Sequence, residues 1–593
     1  MNRFLAKLQT DGDLVSWGTS PVSVLGLLIY FKGYISNKSE FSSDIIRFEA
    51  GLDENVACLA IGYSKWGVAL TKHIFGEFAI AIYDTNTETL LLAQDCLGIQ
   101  SLYYRVEPSG VSFSSFIDDL TQELGQSDLN EHFIADYLCY GDHHGEHTPF
   151  KAISRLTPGI SVQFYHGAIR KFHTWAFDQI SPIHYTNLND YKEELEHLLA
   201  EGVKAALPTK GVAMCEVSGG LDSSTVACIA SRYIPIDRLH ALSYVYSESI
   251  DADESFWSKI VVDAYGMTWH RLDVDSARPF TELPTKRCGQ PYHTLSTVAL
   301  NRAYGKILSE NNISVVLSGA GGDGVLFGDA PEPFYLADMF QHGQLFKTWK
   351  GLYRWAKESP EPRPILYWWN RCVATASVRK SRNLLIQDQP PRISWFASDY
   401  LLAANRNGEK RKTWVPDGPG GVGVSWYLER VMRSARVTSL REYSHDMTAE
   451  FRHPLMYLPL VKFMCSIPWE LKFSPSQDRL LHRQALTKLL PEQIVKRNTK
   501  GTPSQAVYTG FETGQWWKAI RSGSQMTKRG YLDSEQWVKA VDLARLGRCE
   551  SIMHFKAAAT MEVWLENLHH PSGKEKLTKS ISHTGNDRNH YVH

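Results

Sequence analysis

The stretch Glu216-Val217-Ser218-Gly219-Gly220-Leu221-Asp222-Ser223-Ser224 constrains this chain more than any other. Val212-Ala213-Met214-Cys215 before it is short and apolar, the pattern of a buried strand. Thr225-Val226-Ala227-Cys228-Ile229-Ala230 after it reads as the first turns of a helix. Two glycines let the backbone of such a strand-to-helix loop approach a ligand, and free N–H groups at a helix start attract an anion. Ser218, Ser223 and Ser224 add hydroxyl donors. Asp222 belongs in an anion cradle only beside a divalent cation, so loop and carboxylate together imply a magnesium–pyrophosphate site. A plain turn accounts for Gly219-Gly220 alone but not for the whole string. No Gly-Lys-Ser/Thr follows, which excludes a Walker A loop.

With 593 residues, two or three domains are expected, and 43% hydrophobic residues suffice for their cores. A net charge of −1 gives no electrostatic reason for a nucleic-acid or membrane-surface partner. Nine scattered cysteines without a CxxC pair suit reduced thiols, and with them a cytoplasmic protein. The apolar run from Val22 to Phe31 is too short to span a bilayer, so no membrane insertion is expected.

To about Phe177 the chain is β-rich, with strands expected at Val22–Ile29, Phe78–Tyr83, Leu90–Ala93, Leu102–Val106 and Ile160–Phe164. A polar linker with Pro182 leads to a helix from Tyr191 to about Leu207, ended by Pro208. Strands at Leu239–Val245, Trp269–Val274 and Ile313–Leu317 then alternate with helices at about Asp253–Tyr265 and Asn301–Glu310. This alternation gives a doubly wound parallel sheet, whose ligands sit at the C-terminal strand ends. A second glycine loop, Ser318-Gly319-Ala320-Gly321-Gly322-Asp323-Gly324-Val325-Leu326-Phe327-Gly328, falls at such an end.

The first loop resembles the pyrophosphate loop of the ATP-pyrophosphatase enzymes, most closely that of the asparagine synthetase family. The second resembles that family's other ATP-site loop. The resemblance implies ATP held by Val217, Ser218, Gly219, Gly220, Asp222, Ser223, Ser224, Ser318, Gly319, Gly321 and Gly322, and magnesium held by Asp222 and Asp323. A carboxylate attacks the α-phosphorus in that family, and an amine opens the acyl-adenylate. Gly76–Asp84, Gln94–Tyr104, Arg155–Gly159 and Trp175 resemble the glutaminase domain that precedes the synthetase domain.

Departures from the family pattern carry as much information. The family's N-terminal cysteine nucleophile has no counterpart in Met1-Asn2-Arg3-Phe4, and its glutamine-gripping Asn-Gly-Glu is replaced by Lys32-Gly33-Tyr34. The front domain is therefore expected not to release ammonia. Ala320 and Gly324 stand where the family often has Glu, which argues against a small amino-acid substrate such as aspartate.

Between Phe334 and about Ser439 the aromatics Trp349, Tyr353, Trp355, Tyr367, Trp368 and Trp369 are read as core. Glu450-Phe451-Arg452-His453-Pro454-Leu455 resembles the family stretch whose Glu helps deprotonate the amine, and Lys500 matches its charge-steadying lysine, with Lys496 and Arg497 as alternatives. Tyr427 and Tyr443 are candidates for a tyrosine assisting Glu450.

The expected architecture is α/β: a β-rich sandwich resembling a class II glutamine amidotransferase domain over 1–178, a doubly wound parallel ATP-pyrophosphatase domain with helical additions over 190–570, and a polar tail over 571–593. The implied activity is a lasso-peptide cyclase. It adenylates an Asp or Glu side chain of a precursor peptide and closes a macrolactam with that peptide's N-terminal amine. A leader peptidase and a leader-binding protein are the implied partners. The alternatives are an ammonia-dependent asparagine-synthetase-like ligase, a small-molecule lactam synthetase of β-lactam type, and a peptide-binding scaffold.

Overall fold

The computed structural model describes residues 3–10, 12–45, 51–122, 124–141, 145–174, 177, 180–328, 332–374, 393–397, 421–439, 447–501 and 504–568. Trp175, Tyr443 and the polar tail lie outside them.

The front of the chain forms two antiparallel sheets. One runs in the order Leu14–Gly18, Phe4–Gln9, Gly110–Ser114, Tyr103–Glu107, Ser154–Arg155, and the other Ala168–His173, Ile160–Tyr165, Thr89–Gln94, Gly76–Asp84, Leu27–Ile35, Val22–Val24. Strand Gly76–Asp84 reads as a nearly unbroken apolar run because both its faces are covered. Ala79 and Ala81 face the other sheet with Phe4 and Phe113, whereas Phe78, Ile80 and Ile82 pack on Val56 and Leu59 of helix Glu54–Trp66. The single strand expected at Val22–Ile29 is instead a hairpin. Leu25 and Gly26 turn it at φ 53° and 76°, a conformation that hydrophobicity does not signal.

Helix Leu188–Ala206 leads into a five-stranded, all-parallel sheet. Its order is Thr268–Asp273, Leu239–Val245, Val212–Glu216, Ile313–Leu317, Glu450–Arg452. The first four strands fall where the hydrophobic pattern puts them. The fifth is three residues long and gives no periodic signal of its own.

The two halves share their interior. Phe116, Phe133 and Phe150 from the front pack in one cluster with Trp516, Trp537, Phe555 and Trp564 from the closing helices. The aromatic segment after the second loop divides. Trp355 and Trp368 are buried as expected, whereas Trp349 and Tyr353 on helix Leu345–Glu358 are 58% and 53% exposed. Reading all of these aromatics as core is corrected by that split: Trp349 and Tyr353 flank the helix's buried face of Thr348, Leu352 and Trp355. Among the described residues no helix is long and apolar enough to cross a membrane.

Candidate active site

Both glycine loops leave the C-terminal ends of adjacent strands, Val212–Glu216 and Ile313–Leu317. They open on one cleft of about 1200 Å³. Helix Leu221–Ala230 starts inside the first loop, so Asp222 and Ser223 occupy its first turn and its uncapped N–H groups face the cleft. Val217, Ser218, Gly220, Asp222, Ser223, Ser318, Gly319 and Asp323 line the wall. Gly219, Gly321, Gly322 and Ser224 do not. Gly219 has φ +68°, and a Cβ there would lie 2.3 Å from Cβ of Trp257. At Gly321 a Cβ would meet Cε of Met456 at 2.3 Å, and at Gly322 the Asp222 side chain at 2.5 Å. These three glycines therefore let the loops pack, and Ser224 is fully buried beneath them. The structure places these four behind the wall, in a supporting position.

The cleft is built on charge. Arg479 donates to both oxygens of Asp222, at 3.0 and 2.7 Å, to Asp478 at 2.7 Å, and also to Asp323. Burial raises the Asp222 carboxyl above its ordinary value, against the pull of Arg479. His482, behind Asp222, bonds Thr225 Oγ1 at 2.9 Å. Burial and the neighbouring guanidinium groups of Arg479 and Arg483 push its imidazole down to about 3, so it is neutral. Ser318 donates to Glu216 at 2.5 Å, tying the two strand ends together.

Lys500 reaches the same wall, its Nζ 3.6 Å from Asp323 Oδ2 and its side chain 79% exposed. Of the alternatives, Lys496 is engaged elsewhere, whereas Arg497 lines the same cleft. Lys496 pairs with Glu492, one helical turn away on an exposed face. Arg497 pairs with Glu254 and donates to the Ser218 carbonyl at 3.1 Å, fastening the lysine's loop to the first glycine loop.

Two expected positions fall outside this group. Glu450 is not on the cleft wall; its carboxylate accepts from Arg452 at 2.9 and 3.2 Å at the sheet edge. Tyr427 is fully buried, stacks on Phe327 at 4.9 Å and donates its hydroxyl to the Val325 carbonyl at 3.0 Å. In both cases the side chain is engaged with a neighbour outside the cleft wall. Gly324 lies against helix Gly421–Ser439, where a Cβ would sit 2.4 Å from Ser434 Oγ, so no acidic side chain fits there. Arg479 and Glu216 carry no signal in the sequence beyond their places beside the motifs.

Paired carboxylates and a lysine beneath two anion loops at neighbouring strand ends define an ATP-using α/β enzyme. The chain belongs to the asparagine synthase family, whose model matches residues 194–566; a glutamine amidotransferase domain model matches residues 12–176. It is thereby an ATP-dependent, AMP-forming ligase of asparagine-synthetase type. Asparagine synthetase [glutamine-hydrolyzing] 3 of Bacillus subtilis is 23% identical over 537 residues, spanning 86% of this chain and 80% of that protein. A putative asparagine synthetase of Methanocaldococcus jannaschii is 26% identical over 327 residues, spanning 54% and 62%. A solved glutamine phosphoribosylpyrophosphate amidotransferase from B. subtilis overlaps 54% of this chain and 75% of its own at 7% identity. Its TM-score of 0.21 is too loose to carry an argument.

Proposed function

We propose that this chain adenylates a carboxylate with ATP and forms an amide from a nitrogen that its front domain does not generate. One observation supports the reading: Lys32 and Tyr34, which stand where the family's glutamine grip is expected, are both buried and engaged within the protein. Lys32 is buried with its ammonium 4.6 Å from the Phe116 ring centre, and Tyr34 is buried with its hydroxyl on Glu77 at 3.1 Å. Neither presents a group to a free amino acid. Cys58, within the same domain, is fully buried, and its thiol is pushed up to about 12, so it is no nucleophile.

In the ligase site Asp222 and Asp323 are the groups to hold magnesium arriving with the phosphate chain, because two carboxylates plus substrate phosphates are the usual donors for that ion. Bound there, it would neutralise the phosphate charge. Arg479 must first release both carboxylates, and its guanidinium is then free for a phosphate oxygen. Ser218, Ser223 and the N–H groups of helix Leu221–Ala230 take the remaining phosphate charge. Lys500 steadies charge developing at the α-phosphorus.

Two nitrogen sources divide this reading. Family membership favours the general one, an asparagine-synthetase-like amide ligase; the named relatives are glutamine-hydrolyzing, and free ammonia takes the place of that source in this reading. The cleft favours a second: at about 1200 Å³ it exceeds the roughly 300–1,000 Å³ of a typical single-ligand pocket. Its far wall carries the Arg363 guanidinium and the 42% exposed ring of Tyr367, a cation and an aromatic face for a peptide. A tethered amine also gains effective concentration on the order of 10⁵ M or more. On this finer reading the enzyme closes a macrolactam, as a lasso-peptide cyclase does. Pyrophosphate release from ATP is to be measured with aspartate plus ammonium and with candidate precursor peptides. A dehydrated peptide supports the ring-closing reading. A primary amide from ammonium supports the first reading and rejects the second. Glutamate released steadily from glutamine would reject both.

A further inference from the structure

A front domain with buried Lys32 and Tyr34 where the glutamine grip is expected is still locked into the ligase half by a buried carboxylate. Glu77, 3% exposed at the start of strand Gly76–Asp84, accepts the backbone N–H of His453 at 2.6 Å on Oε1. Its Oε2 accepts the same residue's Nδ1–H at 3.0 Å, and Tyr34 adds its hydroxyl at 3.1 Å. His453 is itself 1% exposed, and its Nε2 is buried without a hydrogen-bond partner among the described residues. So, among the described residues, the imidazole's one polar anchor lies in the other domain.

What His453 holds is the floor of the second glycine loop. The residue before it, Arg452, accepts the N–H of Ser318 on its carbonyl at 3.0 Å. Ser318 begins the loop, lines the cleft and bonds Glu216. On the other side His453 starts the turn Pro454–Met456, closed by Met456 N–H on the His453 carbonyl at 2.8 Å. Met456 in turn is the side chain against which Gly321 packs. Two short paths therefore run from one carboxylate to both ends of the loop's glycine run. Tyr34 reinforces the first by stacking under the Arg452 guanidinium at 4.7 Å.

We propose that Glu77 is a positioning residue of the ligase site: through His453 it sets the second glycine loop, and the front domain is retained for that contact. A buried carboxylate receiving three donors is costly to leave unpaired, which gives the contact its stiffness. The inference rests on the reading that the second loop receives the ATP phosphates.

The test uses the full-length chain and titrates magnesium–ATP by calorimetry, alongside thermal midpoints. Wild type is measured first; if it binds no ATP, the functional reading fails. With binding established, Glu77→Ala is expected to weaken ATP at least tenfold at a temperature well below its midpoint. Glu77→Gln, whose amide oxygen keeps the His453 N–H and whose NH2 donates to Nδ1 once the imidazole proton sits on Nε2, is expected to recover part of that loss. A purely structural contact would lower the midpoint and leave the affinity of the folded protein alone. Affinity within twofold of wild type in folded Glu77→Ala overturns the proposal. If that variant does not fold, Tyr34→Phe removes only the 3.1 Å bond. A severalfold weaker ATP affinity then supports the proposal, and an unchanged one overturns it.

Discussion

Arg479 holds both carboxylate oxygens of Asp222, at 3.0 and 2.7 Å, across 257 positions of sequence. Its third arm reaches Asp478 at 2.7 Å, and Asp323 shares the same guanidinium. The site thus carries its own cation between the two aspartates. Arg479 and Asp222 are only 12% and 13% exposed, so removing one partner leaves the other charged and poorly solvated. Arg479→Gln is expected to cost about 3–5 kcal/mol. Millimolar magnesium should return part of that loss to the variant and much less to wild type. Denaturant unfolding with and without magnesium measures both effects, and equal responses in the two proteins would contradict this account of the site.

The first loop separates a packing glycine from a ligand-facing one. An alanine at Gly219 must hold φ +68° and drive its methyl into the backbone of Trp257, 2.4 Å from the carbonyl carbon. Loss of both stability, about 1–3 kcal/mol from overpacking, and ATP affinity is expected. Gly220 has φ −77°, and its nearest neighbour to an added methyl is Ser218 Oγ at 3.2 Å. Gly220→Ala should therefore keep the thermal midpoint and lose ATP affinity, because its methyl enters the cleft. Thermal shift and nucleotide titration on the two variants distinguish the roles.

Tryptophans on one helix should respond oppositely. Trp355→Ala removes a side chain that is 4% exposed and touches Trp368 at 5.2 Å, at an expected cost of about 3–5 kcal/mol. Trp349, 58% exposed, should tolerate serine within about 0.5 kcal/mol. Chemical denaturation of both variants checks the pair; a large loss at Trp349 would mean that its exposed face packs against something.

The parts legible in the sequence are local. Both glycine loops, and the strands Val212–Glu216, Leu239–Val245, Thr268–Asp273 and Ile313–Leu317, are each specified by a few consecutive residues. Arg479 was illegible because nothing in Asp478-Arg479-Leu480 says that the chain returns it to Asp222. The place of Glu450 away from the cleft wall was illegible for a related reason. Its motif is local, but its partner Arg452 and the three-residue strand that carries both exist only against Ile313–Leu317. Trp349 and Trp355 share a helix, and the pattern of aromatics alone does not say which flank of it meets the core.

Lys472 sets a pH dependence outside the reaction. It is 1% exposed, 3.7 Å above the Trp469 ring and between Phe327 and Tyr427 at 5.8 and 5.9 Å. Among the described residues its one hydrogen bond is a long one, 3.5 Å to the Cys465 carbonyl. Burial pulls its ammonium down from 10.5 to about 7, although the rings favour the charged form. A lysine that holds its proton less tightly folded than unfolded releases it on folding. Stability then rises with pH from about 7 to 10.5, at up to about 1.4 kcal/mol per unit. Below about pH 7 both states carry the proton, and this residue adds no slope. Lys472→Met keeps the volume and removes the titration, so the variant should gain stability at pH 7 and show a flatter profile to pH 9. Urea unfolding at pH 7, 8 and 9 reads this directly, and parallel profiles for the two proteins would show that Lys472 stays charged in its aromatic cage.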